Sequence, residues 1–111
     1  MITAPDAEWL ATFTRQLVED RLCSSGHCVE VIRSIYRWRG EIYDKPEARV
    51  MLHTRTSLVR QIIDRVNREH PYEVPCVIAT PMTLGNPAYL QWILDETEEI
   101  ENYKPAEGAS E

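Results

Sequence analysis

No stretch of this 111-residue chain approaches the roughly 18 to 20 consecutive apolar residues that cross a bilayer, and the opening MITAPDAEWL carries neither a basic leader nor an apolar one. Export is not indicated, and a cytoplasmic location without membrane attachment is expected. Positive charge is also short: 12 Lys and Arg against 18 Asp and Glu leave a formal net charge of -6. Nucleic-acid binding of the kind driven by clustered cations releasing counterions is therefore disfavoured. Arg33, Arg37 and Arg39 do cluster, but such a row reads first as a solvated face. Cysteines number three, Cys23, Cys28 and Cys76, an odd count in a chain without an export signal, so reduced thiols are expected rather than disulfides. Cys23, His27 and Cys28 fall short of a metal knuckle, because no second C-x2-C or histidine pair lies nearby to complete four ligands. Buried free thiols are the expectation there. A nucleophile elbow, a phosphate loop and a paired-carboxylate motif are all missing, so no enzymatic reaction is indicated.

What is present is the patterning of one soluble domain, large enough to bury a single core. Asp6 can cap a helix whose apolar positions Leu10, Phe13, Leu17 and Leu22 follow one stripe, with Ser24-Ser25-Gly26 ending it. Cys28 to Trp38 is β-branched and aromatic, and Arg39-Gly40 turns it back into Glu41, Ile42 and Tyr43. Alternation slips along the first arm, which predicts a bulge near Val31 to Arg33. Asp44-Lys45-Pro46 is expected to interrupt the returning arm before Val50, Met51 and Leu52 resume it. Thr54 or Thr56 is the predicted cap of a second helix with Leu58, Val59, Ile62, Ile63 and Val66 at i, i+3, i+4 spacing. Pro71 stops that helix at His70, and Val74 to Thr80 reads as an apolar strand buried on both faces. Asn86-Pro87 then starts a third helix, with Tyr89, Leu90, Ile93 and Leu94 on its apolar side. The order β-α-β-β-α-β plus a C-terminal helix predicts an α+β, ferredoxin-like fold with one antiparallel sheet over residues 1–100. Residues 101–111, ENYKPAEGASE, read as an acidic disordered tail. Only Met1 to Thr3 precede the break at Ala4-Pro5-Asp6, so the first strand is either a stub or begins upstream.

The segments LVEDRL, SIYRWRGEI, HPYEVP and GNPAYLQW stand in the order and spacing of the CutA family of divalent-cation-tolerance proteins, which the chain resembles from ITAPD to about Glu96. The resemblance implies a ferredoxin-like subunit, similar to the PII signalling proteins, in a cyclic homotrimer whose long hairpins reach onto neighbouring subunits. It places the residues matching Tyr36, Trp38, His70, Tyr72 and Glu73 near a cleft between subunits, and it implies copper or another divalent cation there, with His70 among the ligands. No enzymatic reaction is implied. The chain departs from the family pattern at Ser25, where a cysteine is customary, at His27 for Asn or Gln, and at His53 for Lys. Ile2 stands where a further copper ligand is described. The substitution at His53 exchanges a permanent cation for a group that is neutral near pH 7 and able to ligate metal, and His53 is expected to line the ligand cleft with Tyr36, Trp38, His70, Tyr72 and Glu73.

Two readings of EHPYEVP remain open. His70, Tyr72 and Glu73 suit a metal or small-ligand clamp, and they equally suit a junction whose hydrogen bonds a neighbouring chain completes. Tyr36, Trp38, Tyr72, Tyr89 and Trp92 divide the same way, as interface anchors or as cleft walls, and Trp92 is expected to hold the third helix to a sheet edge. His27, His53 and His70 would form a separate imidazole site if they converged across a trimer interface. The leading expectation is a trimeric binding or signalling scaffold, since threefold closure covers unpaired strand edges in every copy. A small enzyme with His70 as general base and Glu73 as its orienter is the rival, and a structural trimer with an empty cleft is the third reading.

Overall fold

The computed structural model describes residues 1–98, and the expected tail at 101–111 lies outside them. Its elements are β1 (Ile2–Ala4), α1 (Ala7–Glu19), β2 (Ser25–Trp38), β3 (Glu41–His53), a 3-10 turn (Thr56–Leu58), α2 (Val59–Glu69) and α3 (Pro87–Glu96). β3 lies between β1 and β2 and is antiparallel to both, so β1 and β2 run parallel with α1 as their crossover. This is the split βαβ unit of the ferredoxin-like arrangement.

Parity builds the core. Ile2 and Ala4 of β1 and Ala48 and Val50 of β3 point to the same face, where they meet Leu10, Phe13 and Leu17 of α1 and Ile62 and Val66 of α2. Each large member contributes about 1.5–3 kcal/mol by leaving water. Asp6 caps α1 through a bond accepted from the Glu8 amide. The helix ends at Glu19, before the expected Ser24–Gly26, because Arg21 takes a left-handed φ of 61° and closes a Schellman turn. In that turn the amides of Leu22 and Arg21 donate to the carbonyls of Leu17 and Val18. Leu22 and Leu17 supply its apolar contact inside the core.

The hairpin follows the sequence closely at its first arm. A register shift falls between Val29 and Ile32, where the slip in alternation predicts a bulge. The returning arm differs from expectation, since β3 runs through Asp44-Lys45-Pro46 without a break. β1 covers only Ala48 to Val50, so at Pro46 one side of β3 is an edge, where a missing N–H is tolerated. Gly26 is required by a close approach: a Cβ there would lie 2.4 Å from Cγ2 of Thr14 on α1.

Two further expectations are corrected. Neither Thr54 nor Thr56 caps α2 with a side-chain bond; the Thr54 hydroxyl donates instead to the Leu22 carbonyl at 2.6 Å. Val74 to Thr80 is not a buried strand. Only Val77 bridges to Ile2, with Ile78 N–H donating to the Met1 carbonyl, and Val74 and Ile78 are 67% and 55% exposed. A three-residue β1 offers too short a ladder for a full fourth strand, and Pro75 and Pro81 remove donors at either end. The segment nonetheless lies beside β1, where a fourth strand of this fold belongs.

The last helix is docked by cations. Asn86 caps α3 and Pro87 opens it, yet Ile93 is its one buried apolar residue. Arg21 donates to the carbonyls of Asp95 (2.7 Å) and Glu96 (3.3 Å), and Arg55 donates to the hydroxyl of Thr97 (2.9 Å) and the carbonyl of Leu94. These guanidinium groups satisfy the terminal carbonyls and oppose the negative end of the helix dipole. Trp92 packs beside Tyr89 and lines a hollow of about 440 Å³ with Val18 and Arg21 at the end of α1 and with Cys23 and Ser24 just before the edge strand β2.

Candidate functional site

The candidate residues separate into two groups. The first gathers where the loop after α2 meets the hairpin. Pro71 forces His70 out of helical angles (φ -72°, ψ 142°), which turns its ring inward against the edge of Trp9. His70 is 8% exposed. Its Nε2 lies 2.7 Å from the Thr3 carbonyl and its Nδ1 accepts the Tyr72 amide at 3.0 Å. A carbonyl can only accept and an amide can only donate, so the ring is held as the neutral Nε2–H tautomer with both nitrogens engaged.

Tyr72 leans on the same ring and donates its hydroxyl to Oε2 of Glu47 at 2.7 Å. Glu47 is buried on β3. Burial first, then the Glu47 carboxylate, then Tyr36 raise the Tyr72 phenol above its ordinary range, which keeps it protonated and donating. Tyr36 stacks on Tyr43 across the hairpin at 5.4 Å. At the turn, Arg39 donates to Glu73 at 2.6 Å while lying over the Trp38 ring at 5.0 Å. Tyr36, Trp38, His70, Tyr72 and Glu73 thus come together in one chain, joined through Glu47 and Arg39. Glu73 is directed to Arg39 and His70 to Thr3 and Tyr72, so the base-and-orienter pairing of the enzyme reading is not formed.

Glu47 and Arg39 are the residues that sequence reasoning missed. Arg39 looked like a turn residue in a solvated row. Glu47 follows Pro46 where a break was expected, and its burial depends on Tyr72 arriving from 25 positions away.

The second group lies at the other end of the hairpin. Ser25 faces His53 across the ladder and His27 faces Met51, so His27 and His53 are diagonal neighbours on one sheet face. Their ring centroids are 5.2 Å apart at an interplanar angle of 87°. Ser25 Oγ and Tyr89 Oη lie 3.2 and 3.1 Å from Nδ1 of His53. Burial and then the nearby His27 lower the His53 pKa, so this imidazole is neutral at physiological pH. Of the three histidines two therefore converge, and His70, whose partners are Thr3, Trp9 and Tyr72, belongs to the other group.

The cysteines are all free. Cys23 is buried, and that burial pushes its thiol up to about 11. Cys28, expected to be buried, is exposed: it shares the helix-facing side of the sheet with its ladder partner Val50 but lies at the margin of α1, in an open hollow beside Ala11, Arg15 and Val18. Among the described residues no group of three or more His, Cys, Asp and Glu could hold a metal ion within one chain. The His70 position does not fit a copper ion in a single subunit, since ligation would break its bond to Thr3 or to Tyr72.

Comparison with known proteins gives a consistent result. The pattern of the CutA1 divalent ion tolerance protein family matches residues 1–96. Protein CutA of Mus musculus is 39% identical over 101 residues, which are 91% of this chain and 57% of the mouse protein. The chain thus spans little more than half the length of that relative. The divalent-cation tolerance protein CutA of Thermus thermophilus is 37% identical, and its solved structure superposes with a TM-score of 0.84 over 87% of this chain and 94% of that one. The crystal structure of CutA1 from Oryza sativa gives a TM-score of 0.85 at 31% identity, covering 89% of this chain and 91% of the other.

Proposed function

This chain belongs to the CutA1 family of divalent ion tolerance proteins, and from that premise we propose that it acts as a non-catalytic homotrimer that binds a divalent cation or a small ligand in the service of metal tolerance. The assembly is supported by one observation above the others. Beyond the bulge, one face of the hairpin meets the Tyr72–Glu73 loop, while the other leaves Val31, Ile35 and Ile42 at 78%, 65% and 62% exposure among the described residues. A two-stranded ribbon with apolar residues and unpaired edges invites indiscriminate pairing, and closure among identical subunits removes that hazard in every copy.

In the trimer the group at Tyr36, Trp38, Tyr72 and Glu73 faces a neighbouring subunit, with His70 bracing the loop from behind. The aromatic rings form the walls of the cleft, and the Arg39–Glu73 pair at its rim is available to a small charged ligand. A catalytic role for His70 is disfavoured because its one free lone pair already accepts the Tyr72 amide. The three free cysteines fit a cytoplasmic setting. No helix among the described residues is long and apolar enough to cross a membrane.

Size-exclusion chromatography with light scattering tests the assembly. At micromolar concentration the expected mass is three times the 12.9 kDa of the chain, and a monomer at that concentration overturns the proposal.

A further inference from the structure

We propose that His27 and His53 form a two-imidazole site for a borderline divalent cation such as Zn(II), Ni(II) or Cu(II), with Tyr89 of α3 and Ser25 of β2 orienting the His53 ring. The inference rests on the proposed binding of a divalent cation but not on the trimer, and it moves the cation away from His70.

Backbone register brings the pair together. Ser25 opposes His53 and His27 is two residues further along β2, so both imidazoles rise from the same face as diagonal neighbours. Metal–nitrogen bonds to histidine are about 2.0–2.1 Å, which places two rings sharing one tetrahedral ion with their centroids about 5 Å apart. The observed separation is 5.2 Å. His27 is exposed and free to turn its ring edge toward the ion, while His53 is half-buried and held.

The holding contacts have the right chemistry. Both hydroxyls lie at Nδ1 of His53, and Nε2 makes neither of these bonds. A hydroxyl can give or take a hydrogen bond, so Ser25 and Tyr89 can accept from Nδ1–H and leave the Nε2 lone pair for the cation. An outer partner that fixes tautomer and ring direction is the usual companion of a ligating histidine. Two nitrogen donors with water in the remaining positions select late first-row cations and give nothing to Mg(II) or Ca(II), which take oxygen. Tyr89 also ties the site to α3, so the cation would join the sheet to the last helix.

Isothermal titration of the full chain with the chlorides of Zn(II), Ni(II), Cu(II), Mg(II) and Ca(II) tests this, with His27→Ala, His53→Gln, His70→Ala and Tyr89→Phe as variants. Circular dichroism checks that each variant folds. The expected result is binding of the first three ions only, abolished in His27→Ala and in His53→Gln, retained in His70→Ala, and weakened about tenfold in Tyr89→Phe. In the unaltered protein, substoichiometric Cu(II) should broaden the ring-proton NMR signals of His27 and His53 before that of His70, a readout that needs no variant to fold. Flat titrations, binding unaffected by removing His27 or His53, or binding lost only in His70→Ala would each overturn the inference. Loss only in His70→Ala would leave the trimer and its cleft standing, and a monomer that still bound Zn(II) through His27 and His53 would sink the assembly alone.

Discussion

The two halves of the β2–β3 hairpin are made of the same pair of strands and meet opposite fates. Below the bulge, Ala48 and Val50 are buried against α1 and α2, and Gly26 admits α1 so closely that a single added carbon would collide with Thr14. Above it, Val31, Ile35 and Ile42 stand in solvent. Both halves carry apolar side chains, although Tyr36, Trp38 and Tyr43 all lie above the bulge. What separates them is which face finds a helix, and the bulge is the place where the strand changes from one task to the other. The lower half holds the subunit together, and the upper half turns apolar side chains to solvent.

Substitutions can break that contrast. The largest effect is expected in the lower half: Leu17→Ala, which empties a fully buried position, should cost about 2–5 kcal/mol in urea unfolding. A loss under 1 kcal/mol would mean that the packing described around α1 is not the source of stability. An intermediate effect is expected where the two halves join. Tyr72→Phe strips the buried Glu47 of its hydroxyl donor and should cost about 1–3 kcal/mol. The double variant Glu47→Leu, Tyr72→Phe should recover most of that loss, because replacing both partners removes the unpaired charge. The smallest effect on the folded subunit belongs to the tip. Ile42→Ser should change subunit stability by no more than about 0.5 kcal/mol while lowering the mass seen by light scattering, since its side chain is 62% exposed within one chain. If Ile42→Ser left the assembly intact, the division of labour along the hairpin would be wrong.

The parts of this fold that depend on local pattern were legible in the sequence, and the parts that depend on distant pairing were not. Leu10, Phe13 and Leu17 declare α1 by spacing alone, and the slip near Val31 to Arg33 announces the bulge because parity is itself a local property. Asn86-Pro87 starts α3 for equally local reasons. Val74 to Thr80 misled because an apolar run promises a buried strand only when its neighbour is long enough to pair with it, and β1 has three residues. Thr54 misled because its hydroxyl has a better acceptor in Leu22, 32 positions earlier. At the candidate site, the gathering of Tyr36, Trp38, His70, Tyr72 and Glu73 was carried by the family resemblance, and the residues that link them, Glu47 and Arg39, follow from no short-range signal. The meeting of His27 with His53 needed the hairpin register, which the bulge makes unreadable from alternation alone.

The manner in which α3 is moored has a consequence for how the molecule comes apart. Guanidinium forks, the contact of Tyr89 with His53 and one buried isoleucine hold it, so little oily surface must be wetted for it to swing away, and this helix is the natural first piece to open while the sheet stays closed. A cation gripped near Tyr89 would act on that breathing motion as a latch.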